Sequence, residues 1–317
     1  MPISSKSITL AVQYVIYLMT RAIECAVRIT PLDVGMRIGR ALGLLVWCLD
    51  RRHRRVALGN LRLVYGDRLS RRAARRLARR SFTHMGAVSV EGLYFHRLVT
   101  EETLDRHVAV QGYGVLRDLV LAGQGTIVVT GHLGNWELAG HVSSVLGFPP
   151  FSVARPPSNP FLARRLREIR GASGQELIDK RGAMAAMEEV VASGGILGFL
   201  ADQHAGHSGV WVDFLGHPAS THKAIALLAL TLHAPILVLV TYRVGRGFFY
   251  VIRIEAKIDP ADFADDPAAV QHITQRFTDA LGRAILDHPD QWLWAHRRWR
   301  ERKSRRNTGR ERGGEKV

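Results

Sequence analysis

Two apolar stretches open the chain. Ile8–Met19 is apolar apart from Thr9 and Gln13, and Arg21 and Glu24 interrupt the pattern beyond Met19. After Pro31, a second stretch over Ile38–Leu49 carries Leu42, Leu44, Leu45, Val46, Trp47 and Cys48 before meeting Arg51-Arg52-His53-Arg54-Arg55. Neither run reaches the roughly 20 uninterrupted apolar residues of a spanning helix, and no small-residue cleavage site marks a signal peptide. The pattern predicts a membrane-associated helix or helical hairpin over residues 1–50, spanning the bilayer or lying on it. Two buried core helices fit the same pattern.

Leu69–Leu93 repeats at helical spacing through Leu77, Phe82, Met85 and Val88. From about Tyr113 the pattern alternates. Helices are predicted over Val115–Ala122, Leu138–Leu146, Pro160–Arg170, Met184–Ala192, Thr221–His233 and Ala268–Leu286. Between them, short β-branched or apolar runs predict strands over Thr126–Thr130, Phe151–Ala154, Gly195–Ala201 and Ile236–Tyr242. Phe248–Ile254 can pair with the last of these as a hairpin across Gly245 and Gly247. This alternation predicts an α/β fold, a central mixed β-sheet flanked by helices. The α/β domain is placed at residues 51–300, behind the N-terminal helices, and a disordered basic tail at 301–317.

Charge sharpens the reading. The chain carries 44 Lys and Arg against 28 acids over 317 residues. Arg51–Arg80 holds 12 Arg and one acid, Asp67, while Arg297–Val317 holds 10 basic residues and three acids. Such concentration is an electrostatic footprint for a polyanion. Nucleic-acid modules interleave their Arg with stacking aromatics, and Arg68–Arg80 has none. Anionic lipid on a cytoplasmic membrane face is therefore the expected partner, not nucleic acid. Cys25 and Cys48 form neither a metal-type spacing nor a disulfide framework.

Candidate chemistry lies where strands end in polar groups. His132 follows Thr126–Thr130, Arg155 follows Ala154, and Asp202, Gln203 and His204 follow Ala201. Ligands of open α/β sheets bind at the carboxyl ends of strands. On one continuous helix, positions five apart sit about 140° around the axis and cannot meet. With His132 ahead of the helix and Glu137 in its first turn, the imidazole can fold back over the carboxylate, which would fix its tautomer and leave the other nitrogen to take a proton. The same spacing equally fits a satisfied turn, with Glu137 drawn to the helix N-terminus by the dipole. A metal site through Glu137 and His141 would leave His132 off that face, so no metal is expected. Neither a Gly-rich phosphate loop nor a Gly-x-Ser-x-Gly elbow is present.

At these residues the sequence resembles the lipid A biosynthesis (late) acyltransferases, a bacterial family that also includes the mycobacterial phosphatidylinositol mannoside acyltransferases. The resemblance runs in order from about Arg51 to Trp299, through Arg54, Leu58 and Asn60; GHLGNWE; ARPPSNP; Arg170 with Gly174; Ala201-Asp202-Gln203; Val212–Gly216; and Gln291-Trp292-Leu-Trp294-Ala-His296-Arg297-Arg298-Trp299. Leu133 departs from it, standing where an aromatic is common. The resemblance implies a glycerolipid acyltransferase-like fold at the cytoplasmic face of the bacterial inner membrane. It implies transfer of a fatty acyl chain from acyl carrier protein or acyl-CoA, a co-substrate and not a cofactor, to a glycolipid hydroxyl such as that of a lipid A precursor. His132 maps onto the general base and Glu137 onto its supporting acid. Asn135, Arg155, Arg170, Asp202 and Gln203 fall on other motif positions and are expected to face substrate, with Arg155 or Arg170 toward a developing oxyanion or an acceptor phosphate. An acyl groove lined by Val12–Leu18 and Leu42–Val46 is expected. The alternatives are a non-catalytic membrane or polyanion binder and a lipid thioesterase or hydrolase on the same fold.

Overall fold

The computed structural model describes residues 5–154, 157–171, 174–179 and 183–300. The predicted disordered tail lies outside them. Four helices lead: α1 (Ser5–Ile29), α2 (Leu32–Leu49), α3 (Arg51–Tyr65) and α4 (Arg71–Glu91). Two short helices, α5 (Phe95–Leu98) and α6 (Leu104–His107), join them to an alternating core. That core runs β1 (Val108–Gln111), α7 (Tyr113–Leu121), β2 (Thr126–Thr130), α8 (Trp136–Val145), β3 (Pro150–Ala154), α9 (Pro160–Gly171), β4 (Glu176–Asp179), α10 (Ala183–Ala192) and β5 (Ile196–Leu200). A small hairpin, β6 (Val210–Phe214) and β7 (His217–Thr221), precedes α11 (Ala224–Leu232), β8 (Ile236–Arg243), β9 (Tyr250–Ile258) and α12 (Ala269–Asp287).

Seven strands form one mixed sheet in the order β1-β9-β8-β2-β5-β3-β4. From β8 to β4 every neighbouring pair is parallel. The β8–β9 hairpin predicted across Gly245 and Gly247 is the antiparallel step. Helices cover both faces, as the alternation requires. Alternate residues of a strand point to opposite faces: Ile127, Val129 and Leu197 join the core with Met187 of α10, Ile225 of α11 and Phe277 of α12. On the other face, Leu138 and Val142 of α8 pack with Tyr250 and Ile252, and Leu116 and Leu119 of α7 pack with Ile196 and Leu237.

Two sequence expectations change. The helix predicted from Thr221 starts at Ala224, because Thr221 closes β7 against Val210. The hairpin turn uses Leu215 and Gly216, both at positive φ. The chain also runs unbroken through Arg21 and Glu24, so α1 is longer than its apolar pattern suggested. Arg21 pairs with Glu24 one turn on, so the two charges that interrupt the apolar run offset each other, and Arg165 of α9 also reaches Glu24 at 3.1 Å. Thr9–Ile29, 21 residues, is long and apolar enough to cross a membrane. At 1.5 Å per residue it measures about 31 Å, the thickness of a bilayer's hydrocarbon. Its apolar side chains stand bare: Leu10 is 50% exposed and Met19 62%.

By contrast α2 packs tightly. A Cβ at Gly39 would lie 2.6 Å from the Gly86 carbonyl oxygen of α4, and one at Gly43 would run into the Phe82 carbonyl. Glycine there lets two backbones touch, the packing device of close helix pairs.

Candidate functional site

β2 delivers His132 to the carboxyl end of the sheet. The turn after it is tightly specified. Gly134 has φ +59°, and a Cβ there would collide with the Thr241 carbonyl, so only glycine fits. Asn135 caps α8, its Oδ1 accepting from the Leu138 backbone N–H at 3.1 Å.

The neighbouring strand β5 ends beside this turn and delivers Asp202. His132 Nδ1–H donates to Asp202 Oδ1 at 2.7 Å, and the His132 backbone N–H donates to Oδ2 at 2.6 Å. Trp292 Nε1–H donates to the same Oδ2 at 2.8 Å. The third element is the C-terminal Trp/His/Arg segment, which clamps the turn. Leu293 N–H donates to the His132 carbonyl at 3.2 Å and Gly134 N–H to the Gln291 carbonyl at 3.1 Å, around a Leu133–Trp292 bridge. A carboxylate that accepts three N–H groups is acceptor-only, so it fixes the neutral imidazole with its proton on Nδ1 and its lone pair on Nε2. Gln203 Nε2 lies 3.4 Å from that Nε2, and the Trp136 indole packs edge-on against the ring at 4.7 Å.

Electrostatics single this imidazole out. Burial disfavours the charged ring, but the Asp202 carboxylate and its hydrogen bond outweigh burial, with a smaller push from Glu137, and raise His132 above the ordinary 6.5. Asp202 is fully buried, which alone would raise it; the His132 ring and its hydrogen bonds instead hold it down at about 2. Among the described histidines that depart from the ordinary value, His132 alone moves upward. Burial pulls His84 to about 3, His96 to about 4 and His296 to about 4. Perturbed groups paired with a specific charge mark functional sites.

The structure therefore revises the roles expected from spacing. The acid on His132 is Asp202, 70 residues away in sequence, and not Glu137. Glu137 turns instead to Arg170, whose Nη2 donates to Oε1 at 2.6 Å and to Oε2 at 2.8 Å. The reason is geometric: with Asn135 as the cap, Glu137 falls in the first turn of α8 facing α9, while the ring swings toward β5. Asp202, expected to face substrate, is buried at 3% exposure beneath the imidazole. Asn135, expected likewise, is wholly buried, its amide donating to Glu91 at 3.3 Å. Gln203 stays beside His132 and Arg170 beside Glu137. Arg155 lies outside the described residues.

Glu137 and Arg170 line a cavity of about 690 Å³, within the ~300–1,000 Å³ usual for ligand sites. Its other walls are largely apolar: Val128 and Thr130 of β2, Ile196, Gly198 and Leu200 of β5, Leu239, Ile252 and Ile254, with Leu116, Leu146, Met184, Met187 and Ile225 from the helices. His132 does not itself line it, but Trp136, in contact with the ring, does. The lining comes from residues between 110 and 254, so the expected groove from Val12–Leu18 and Leu42–Val46 is not where the cavity forms. Among the described residues no cluster of His, Cys, Asp and Glu suits a metal ion.

Sequence reading missed Glu91, Arg243 and Tyr250 and gave no role to Asn60 and Arg298, which together form a buried shell behind the turn. Glu91 is fully buried and pairs with Arg243, while the Tyr250 hydroxyl donates to its Oε2 at 2.5 Å. Asn135 joins the same carboxylate, so this network anchors the start of α8. Arg298, also fully buried, donates to the Gln203 carbonyl at 3.2 Å and to Ser220 and Thr221. Asn60 of α3 donates to the carbonyls of Trp294 at 2.9 Å and His296 at 2.7 Å. No local signal tied Glu91 to Arg243, which lie 152 positions apart.

The family model for the bacterial lipid A biosynthesis acyltransferase matches residues 1–301. A phosphatidylinositol mannoside acyltransferase of Mycolicibacterium smegmatis is 27% identical over 183 residues, 56% of this chain and 58% of that relative. One of Mycobacterium tuberculosis is 26% identical over 209 residues, 64% of this chain and 63% of that relative. The chain thus matches less than two thirds of the length of these relatives.

Proposed function

Because this chain belongs to the bacterial lipid A biosynthesis acyltransferase family, we propose that it transfers a fatty acyl chain from an acyl thioester to a hydroxyl of a membrane glycolipid. The observation that carries the reading is the His132–Asp202–Trp292 array beside a large apolar cavity. His132 Nε2 takes the proton of the acceptor hydroxyl, and the oxygen attacks the thioester carbonyl carbon. The tetrahedral intermediate collapses, the C–S bond breaks, and the imidazolium returns its proton to the departing thiolate. Asp202 holds the ring and stabilises its cationic form. A thioester is already activated, so no protein nucleophile is needed. Arg170, oriented by Glu137, supplies a fixed cation near the charge that develops on the carbonyl oxygen.

The acyl chain occupies the cavity, where each buried methylene is worth about 0.8 kcal/mol. The bare face of α1 and the Arg of α3 and α4 hold the protein on an anionic membrane, on its cytoplasmic side. The curated relatives, phosphatidylinositol mannoside acyltransferases by name, favour a phosphorylated glycolipid as acceptor, and a lipid A precursor belongs to the same class. Acyl carrier protein and CoA both offer the required thioester.

Purified protein in detergent, given an acyl thioester, should consume it only when a glycolipid acceptor is present. Equal consumption without acceptor would make the protein a thioesterase. No consumption in either case would leave a binding protein. In cells, lipid mass spectrometry of a deletion strain should show one glycolipid lighter by a single acyl group.

A further inference from the structure

Every strand residue on the cavity wall has a side chain except one. Ile196, Gly198 and Leu200 share one face of β5 and line the cavity together with Phe199, and Gly198 sits between Val128 of β2 and Ser152 of β3. Glycine weakens a strand interior, and where it persists it marks a bulge, a close backbone approach or room for a ligand. The first two do not apply. Gly198 lies in regular parallel register with both neighbours and is not among the positive-φ glycines. A Cβ there would meet the Ser152 hydroxyl oxygen at 3.5 Å and the Phe151 carbonyl at 3.7 Å, ordinary contacts. The contrast with Gly140 on the facing helix is direct, since a Cβ there would press on Gln175 at 2.9 Å. Neither backbone nor packing asks for glycine at 198. Open space in the cavity does.

We propose that Gly198 sets the length of acyl chain the cavity accepts. The proposal rests on the acyl-transfer reading above. The cavity follows β5 from Leu200, at the end that delivers Asp202, back to Ile196. At about 3.3 Å per residue that path is about 13 Å. An extended chain advances about 1.1–1.2 Å per bond, since a three-bond residue spans ~3.3–3.6 Å, so the path holds roughly eleven bonds. Gly198 stands midway. A branched side chain there would leave the outer half of the path open and block the inner half, which shortens the accepted chain by about five or six carbons.

The test compares wild type, Gly198→Ala and Gly198→Leu, purified full length in detergent with the glycolipid acceptor. Acyl thioesters from about six to about sixteen carbons are the donors, bracketing the path length. In the same proteins, fatty acids of those lengths displace a bound fluorescent fatty acid. For Gly198→Leu, the ratio of kcat/KM for long over short donors should fall at least about tenfold, with Gly198→Ala between it and wild type. The displacement profile should move toward shorter chains in step. Unchanged length profiles in both assays would overturn the proposal. If no protein transfers acyl groups yet displacement still shifts with Gly198→Leu, the transfer reading falls and the role of Gly198 stands. Thermal melting checks folding. Should Gly198→Leu fail to fold, Gly198→Ala decides alone, because one carbon at 3.5 Å displaces nothing: its long-to-short ratio must fall, and an unchanged ratio refutes the proposal.

Discussion

Two carboxylates act on His132, and their surroundings are opposite. The Asp202 side chain is 2% exposed and accepts from the His132 ring, the His132 backbone and the Trp292 indole. The Glu137 side chain is 35% exposed, faces the cavity, and is held by Arg170. One side of the imidazole is closed and fully bonded. The other, at Nε2, has only Gln203 Nε2 near it at 3.4 Å, and the ring touches Trp136, which lines the cavity. A base needs both: a fixed acid to hold its tautomer and stabilise its cation, and an unsaturated approach for the group it deprotonates. Distance along the chain misleads here. The acid five residues away lines the cavity with Arg170, and the acid seventy residues away holds the ring.

Substitutions on the two sides should therefore differ in kind. The largest loss is expected for His132→Ala, which removes the base and should lower kcat at least about a thousandfold, within the range general-base groups supply. Vesicle flotation should show membrane association intact, since the partners of the ring, Asp202, Gln203 and Trp136, lie outside α1. Asp202→Asn should come close behind, lowering kcat by up to about 10⁴ through loss of the correct tautomer. It also carries a pH signature. The base works as neutral imidazole, and its raised pKa places the acid limb of kcat/KM above 6.5. Removing the charge that raises it should move that limb to lower pH, so the variant is impaired most at high pH and least in relative terms at low pH.

Glu137→Gln makes the contrast plainer. It frees Arg170 and should lower kcat/KM by about tenfold to a hundredfold, more through KM than Asp202→Asn does, with only a small shift of the acid limb. Trp292→Phe is expected to be mildest. It removes one of three donors to a buried carboxylate, a loss of about 1.5–3 kcal/mol in stability, read by thermal melting of the purified protein.

Much of this fold could be read from pattern. β2, β5 and β8, β-branched or apolar runs bounded by glycine or proline, lie within a residue of their predicted places, and β9 pairs with β8 as predicted but starts two residues later and runs four residues further. The hairpin β6–β7 could not, because its turn is Leu215-Gly216, with an apolar residue in the left-handed region instead of Asn or Asp. The unbroken α1 was hidden by Arg21 and Glu24, which pair with each other one turn apart on the helix while Arg165 of α9 also reaches Glu24. His132, Asp202 and Gln203 were each legible as polar strand ends. Their pairing was not, since only the parallel register of β2 and β5, Thr130 against Leu200, sets the two ends side by side. Asn135 looked like a binding residue because it is polar within a motif, yet it serves as a helix cap.

The most direct test of these assignments is the pKa of the His132 ring itself, followed by NMR in protein carrying labelled histidine. Wild type should titrate above 6.5, Asp202→Asn should bring the ring down by the larger step, and Glu137→Gln by the smaller. A ring that ignores Asp202→Asn and drops with Glu137→Gln would return the supporting role to the nearby acid and contradict the assignment of Asp202.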